Sequence, residues 1–248
     1  MGGAVLVGTA GWSVPRIHAA HFPAGGSLLE RYAAVFPAVE INTSFYRPHR
    51  RSTYERWAAS VPTDFRFSVK VPKAVTHSDW QAIEAPLDGF FEEIGGLGPK
   101  LGAVLLQLPP KQAFSPADAD RLLRAVRSRT QAPVVLEPRH ASWFGPAGED
   151  LLRSLRIARV AADPPRAAGA DQPAGWPGFA YLRLHGSPEI YRSSYADGRL
   201  ERLATQVLGA ARTGAQAWCI FDNTQSYAAT GDALGLKALI DPAERTHP

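Results

Sequence analysis

Short apolar, β-branched runs recur along the chain, separated by longer stretches with helical spacing. The runs are residues 5–9, 38–42, 66–71, 101–108, 134–137, 157–162, 179–185 and 217–221. Nearly continuous apolar character and flanking Gly, Pro or Asn predict strands covered on both faces. Helical spacing follows at 28–36, capped by Ser27, and at 52–60, 86–94, 148–155, 200–212 and 224–239. Ser115 and Pro116 supply the N-cap and first turn of another helix, reaching about residue 129. Residues 163–178 are rich in Pro, Gly and Ala with no apolar period, which predicts no regular helix between strands six and seven. Eight strands alternating with helices, and no break in composition, predict one α/β domain over 1–248, a (β/α)8 TIM-type barrel. A doubly wound open sheet would need a Gly-rich phosphate loop after a strand. Gly8-Thr9-Ala10-Gly11 lacks that spacing.

Polar residues gather where the strands end. Glu40 and Asn42 share a strand face, as do Glu137 and Arg139, and Arg183 and His185. Lys70, Gln107, Asp163 and Asp222 close four other strands. In a barrel these ends carry the chemistry. Burying so many ionisable groups unpaired would cost several kcal/mol each. They must neutralise one another, face water or hold a ligand. Any one of them could be a structural ion pair; the ring as a whole reads as a site.

Composition narrows the partners. The formal charge of +4 and pI near 9.4, without a Lys/Arg block, suit an anionic ligand and leave nucleic acid a less favoured partner. The single cysteine, Cys219, precludes an intramolecular disulfide and a Cys-based metal site, and its apolar surroundings predict a buried small hydrophobe. The N-terminus lacks a signal-like pattern and no run has the length of a membrane span, so a soluble cytoplasmic protein with no membrane partner is expected. Nothing in the pattern sets an oligomeric state.

Eight short segments carry a family resemblance. They are Gly8-Thr9-Ala10-Gly11-Trp12, the stretch from Val39 through Glu40, Asn42 and Phe45 to Tyr46, Phe67 to Lys70, and Thr76-His77. The rest are Leu106-Gln107-Leu108-Pro109-Pro110, Glu137-Pro138-Arg139-His140 with Trp143, Arg183-Leu184-His185-Gly186, and Phe221-Asp222-Asn223. In this order they resemble the DUF72, or YecE-like, family over nearly the whole chain. The resemblance implies a TIM-type barrel and no reaction, because the family is one of unknown function. The chain departs from the family pattern at Asp222-Asn223, where two asparagines are usual, and near Val14, where an aromatic residue is usual. A carboxylate at position 222 accepts hydrogen bonds and cannot donate them.

Three chemistries fit the ring. The leading expectation is an enzyme, a lyase, isomerase or hydrolase, acting on a phosphate- or carboxylate-bearing small molecule. Lys70, Arg139 and Arg183 would hold the anion. Glu137 and Glu40 are the candidate general acid and base, with His185 as an alternative proton shuttle and Asp222 beside them. Cationic neighbours should keep Glu137 ionised and favour it as a base; orienting Arg139 is its structural alternative. Thr9, Trp12, Asn42, Tyr46, His77, Gln107, Tyr191, Tyr195 and Asn223 complete the expected substrate contacts. The second chemistry is divalent-metal hydrolysis of phosphodiesters, with Glu40, Glu137, Asp163, His185 and Asp222 as ligands, against which stand the missing metal-binding spacings and the crowd of cations. No cofactor or metal is assigned on this reading. Glycoside hydrolysis between paired carboxylates is a third. A non-catalytic binding barrel is the alternative outside enzymes. His140 leaves its strand on the opposite face and is expected to be structural.

Overall fold

Strands and helices alternate along the chain in a computed structural model that describes residues 2–241, of Asp197 only the backbone. β1 (Val5–Thr9) leads to α1 (Leu28–Ala33), β2 (Ala38–Ile41), α2 (Arg51–Ala59), β3 (Arg66–Lys70), α3 (Lys73–Thr76) and α4 (Glu84–Ile94). Next come β4 (Leu101–Gln107), α5 (Pro116–Arg127), β5 (Val134–Glu137), α6 (Pro146–Ser154), β6 (Ile157–Arg159), β7 (Ala161–Asp163) and β8 (Ala174–Gly175). β9 (Phe179–Leu184), α7 (Asp197–Arg212), β10 (Gln216–Phe221) and α8 (Ala228–Ile240) come last.

The result is a mixed α/β fold with two parallel sheets. β2 to β6 lie side by side in one, with β8 antiparallel at its edge; β1, β10, β9 and β7 make the other. Two seams bring the sheets together. Ala10 forms a parallel bridge with Glu40, and the Gly11 amide donates to the Glu40 carbonyl at 2.8 Å. At the other seam the sixth predicted strand changes sheets: residues 157–159 pair with β5, and 161–163 with β9. Tyr32 tightens the first seam from α1. Its phenol accepts from the Thr9 amide at 2.8 Å and donates to the Ala38 carbonyl at 3.0 Å. A Cβ on Gly8 would sit 2.1 Å from the same carbonyl, so this close approach requires glycine.

Strand alternation divides the core in two. One face of the strands packs on the helices through Val7, Val39, Ile41, Val69, Leu106, Leu136, Leu182 and Cys219. The other forms a separate cluster of Ala38, Ala103, Leu105, Val135, Ala158, Tyr181, Trp218 and Ile220. Tyr181 and Trp218 stack there with ring centroids 5.9 Å apart. Glu40, Arg183 and their neighbours continue this second face towards the strand C-termini.

Several expectations need correction. Among the described residues the eight predicted strands become ten, because the sixth breaks at Val160 and residues 174–175 add a short strand. That break follows from the change of pairing partner. Residues 163–178 hold no helix, as expected, and are pinned rather than free. The Ala162 amide bonds the Ala170 carbonyl, the Gly175 amide bonds Glu149, and the Trp176 amide bonds the Ile157 carbonyl. The last predicted helix starts at Ala228 and not at 224, because Tyr227 takes a left-handed conformation (φ 64°) that interrupts the turn before it. α1 ends at Ala33 and α5 at Arg127, short of their predicted limits, and α7 starts at Asp197, before its predicted start. The turn Lys73–Thr76 is helical although too short to show a period. Among the described residues, no helix is long and apolar enough to cross a membrane.

Candidate functional site

The strand C-termini converge on Arg183. On β9, period-two alternation sends Phe179, Tyr181, Arg183 and then His185 to the same interior face, so apolar contact gives way to charge as the strand ends. The guanidinium is fully buried and meets three carboxylates: Glu40 on β2, Glu137 at the end of β5 and Asp222 just after β10. It donates to Glu40 through Nε (3.0 Å to Oε2) and Nη2 (2.8 Å to Oε1). It reaches Glu137 Oε2 at 3.2 Å through Nη1 and Asp222 Oδ2 at 2.9 Å through Nη2. Glu40 is closed off from below by the Tyr181 hydroxyl, 2.9 Å from Oε2, which also lies 3.0 Å from Ser68 Oγ.

Glu137 is the second hub. Oε1 accepts from Gln107 Nε2 at 2.9 Å and from Arg139, whose Nε and Nη2 lie at 3.1 and 3.0 Å. His185 bridges two carboxylates, with Nε2 3.0 Å from Glu137 Oε1 and Nδ1 3.0 Å from Asp222 Oδ2. Carboxylates only accept, so both ring nitrogens carry protons in this arrangement. The Arg139 and Arg183 contacts to the ring, at 3.3–3.4 Å, are longer, and the carboxylates set its state. Burial works against charge on His185, but Glu137 and Asp222 outweigh it and its pKa rises. Burial likewise works to raise Glu137 and Asp222. The cations around them, His185 and Arg183 foremost, reverse the sign: Glu137 falls well below the usual carboxylate range and Asp222 below its own. Arg183 is held far above its ordinary value, the three carboxylates overriding burial.

These directions fix the pH dependence of stability. Glu137 and Asp222 are lowered on folding, so their stabilisation is present above the unfolded carboxylate pKa and is lost as pH falls through the folded values. His185 is raised, so its contribution is complete below 6.5 and is lost as pH rises through its folded value. Urea unfolding of wild type and His185→Gln should therefore show a difference that narrows above neutral pH, at up to about 1.4 kcal/mol per pH unit. A difference independent of pH would contradict a charged His185.

Lys70 stands apart. It lies on the ring face of β3, only 4% exposed, and its backbone carbonyl accepts from Ser44 Oγ at 2.7 Å. Its amine sits 4.1 Å from the centroid of the Phe45 ring, and among the described residues no carboxylate oxygen lies within 4 Å. Burial, with Arg183 adding to it, lowers its pKa to about 8 despite Glu40, Glu137 and Asp222.

The structure brings together Glu40, Lys70, Gln107, Glu137, Arg139, Arg183, His185 and Asp222, with Tyr191 above them. The Tyr191 ring stands edge-on to His185 at 5.6 Å, and its side chain acts on Arg139, helping to raise the pKa of the guanidinium. His77 lies beside the group, its ring against Phe45 at 5.3 Å; burial and the cations Lys73, Lys70, Lys111 and Arg139 lower its pKa. Six of the expected substrate contacts are not brought to the ring: Thr9, Trp12, Asn42, Tyr46, Tyr195 and Asn223. The Thr9 hydroxyl donates to the Gly11 carbonyl at 2.5 Å, and the Tyr195 phenol accepts from the Gly186 amide at 2.8 Å. Asn223 Nδ2 donates to the Ser193 carbonyl and to Asp232. Trp12 packs on Trp57, and Tyr46 is 77% exposed. Trp12, Trp57, Tyr46, His49 and Asn42 line a cavity of about 530 Å³. Asp163 pairs with Arg199, away from the ring. His140 caps the turn after β5, accepting from the Ser142 amide. Sequence reasoning missed Ser68, Tyr181 and Phe45. The first two were legible as the inward positions two before Lys70 and Arg183; Phe45 stood only as one residue of the family-like stretch from Val39 to Tyr46.

Arg139, with a side chain 14% exposed, is the ring's contact with solvent, across a crevice of about 10 Å³ shared with Glu137, His185 and Ile190. A far larger cavity, about 660 Å³ and mainly apolar, lies at the other end of the strands, between Val5, Phe36, Phe65 and Ile240. Size alone would choose it; the buried charged side chains gather at the ring. Among the described residues, no group of three or more His, Cys, Asp and Glu side chains is arranged to hold a metal.

A parallel α/β protein with a buried, cross-strand ionic ring at its strand C-termini is the class these features define. The chain belongs to the DUF72 family, described as a protein family of unknown function, whose model matches residues 6–248. It is 30% identical over 154 residues to the UPF0759 protein YunF of Bacillus subtilis, 57% of this chain and 53% of that protein. It is 28% identical over 148 residues to YecE of Escherichia coli, 59% of this chain and 52% of that one. The matched stretch thus spans about half the length of these curated relatives. Among solved structures, a DUF72 family protein of Enterococcus faecalis superposes with a TM-score of 0.80 at 22% identity, covering 95% of each chain. One from Thermotoga maritima gives 0.77 at 25% identity, covering 96% of this chain and 99% of that one.

Proposed function

We propose that this protein is an enzyme that binds a small phosphate- or carboxylate-bearing molecule over the ring and transforms it by acid–base chemistry. In this reading the two sheets close, through the Ala10–Glu40 bridge and the Val160 crossing, into a barrel whose C-terminal mouth is the site. One observation carries the proposal. Glu40, Glu137 and Asp222 are matched in charge by Arg183, Arg139 and a protonated His185, which leaves Lys70 as a surplus cation at the mouth. An anion is the ligand that such a field attracts.

Arg139 is the part-exposed fork for that anion. Glu137 is the proton acceptor: a ligand that draws Arg139 away removes one of its compensating cations and makes it more basic. His185, protonated on both nitrogens, is the donor. The reading uses no resident cofactor.

Thermal unfolding with inorganic phosphate, small phosphate esters and citrate tests this. A ligand at about a hundred times its Kd adds about 2.7 kcal/mol, or roughly 5–10 °C for a chain of this size. Arg139→Ala should lose most of that shift. A full shift in Arg139→Ala would move the anion site elsewhere.

A further inference from the structure

Lys70 is not explained by the ionic ring. The ring is neutral without it, the oxygens of Glu40 and Glu137 and Asp222 Oδ2 are engaged by arginines, His185, Gln107 or Tyr181, and among the described residues its amine has no ion pair or hydrogen bond and lies over the face of Phe45. A lysine placed to hold structure would take hydrogen-bond acceptors, as Lys100 takes the Ala58 and Val61 carbonyls at 2.6 Å. Desolvated beside Arg183 and without an ion pair, the Lys70 amine gives up its proton easily, the setting in which a lysine becomes a nucleophile. The charged groups that act on it are Glu40 on β2, Glu137 at the end of β5, Arg183 on β9 and Asp222 after β10, and it acts in turn on His77.

We propose that Lys70 is a covalent catalyst whose amine condenses with the carbonyl carbon of a small oxo acid bound at the ring. This rests on the anion-site reading above, since Arg139 would hold the acid's carboxylate. The nitrogen lone pair forms the C–N bond while the carbonyl π pair moves to oxygen. One amine proton then passes to that oxygen, giving a carbinolamine. A second proton, from His185, lets the oxygen leave as water, and the nitrogen lone pair closes the C=N bond. The product is a protonated imine on Lys70 and a neutral His185, with no change of oxidation state. The cation formed on Lys70 is then matched by the charge of the acid. Such an imine withdraws electrons from the neighbouring carbon and makes proton removal there by Glu137 feasible.

Pyruvate and glyoxylate with sodium cyanoborohydride test it, because hydride fixes the imine as a secondary amine that peptide mass spectrometry locates. Lys73, Lys100, Lys111 and Lys237 serve as internal comparisons. Near neutral pH Lys70, with a pKa lowered to about 8, should be modified about tenfold or more over each of them. Lys70→Arg keeps the charge and should abolish the excess. Modification spread evenly over the lysines, or unchanged in Lys70→Arg, overturns the proposal. If Lys70 stays unmodified while phosphate stabilises wild type and not Arg139→Ala, the covalent role fails and the anion site stands. Selective labelling equal in wild type and Arg139→Ala would instead preserve Lys70's chemistry and remove Arg139 from the reading.

Discussion

Arg183→Ala will lose about 3–5 kcal/mol of folding stability, the cost of stranding buried charges. Removing the guanidinium leaves Glu40, Glu137 and Asp222 within one interior with only Arg139, His185 and Lys70 to oppose them. Glu40 suffers most, because both its oxygens bond Arg183 and its remaining partner is the Tyr181 hydroxyl. Unfolding temperature should drop by roughly 6–20 °C. The deficit should shrink in mild acid, where protonation discharges the stranded carboxylates, and adding Glu40→Gln should restore part of it. Urea unfolding at pH 7 and pH 5 measures both. A loss under about 1 kcal/mol, typical of an exposed ion pair, would mean that Arg183 does not hold the ring together.

Glu137→Gln separates binding from chemistry. The amide keeps the shape of the side chain but removes one negative charge facing Arg139, Arg183 and His185. The ring then gains net positive charge, so inorganic phosphate should bind tighter, by roughly tenfold for a charge change at this range. Turnover on any substrate of the site should meanwhile fall by about 10²–10⁴, the contribution of a positioned base. His185 loses one of its two carboxylates, and its pKa should fall. Titration calorimetry with phosphate, set against the turnover of both proteins, distinguishes the roles. Undiminished turnover in Glu137→Gln would remove it from the chemistry.

Most of the ring could be read along the strands, because a buried strand shows its inward face as every second residue. Glu40, Lys70, Glu137, Arg183 and His185 all stand on that face, and their charge is conspicuous where the apolar period predicts Val or Ile. The same rule reaches Ser68 and Tyr181, but small and aromatic residues do not stand out against a core. What side chains do across the chain was not legible. Thr9 and Tyr195 carry hydroxyls suited to substrate, yet the first is taken up by the Gly11 carbonyl and the Tyr32 phenol and the second by the Gly186 amide. Trp12 and Tyr46 follow strands as site residues do but turn towards α2 and solvent. Strand pairing was equally hidden: the apolar run from Ile157 to Ala162 gives no sign that its pairing partner changes at Val160. Lys70's lack of a counter-ion is a property of the whole ring, and no local pattern encodes it.

A crystal structure grown with saturating inorganic phosphate tests the central claim most directly. Phosphate is expected within hydrogen-bonding distance of the Arg139 guanidinium, between His185 and Lys70, with Tyr191 moved from its place over His185. Phosphate bound only in the cavity between Trp12, Trp57 and His49, with the ring unchanged, would contradict it.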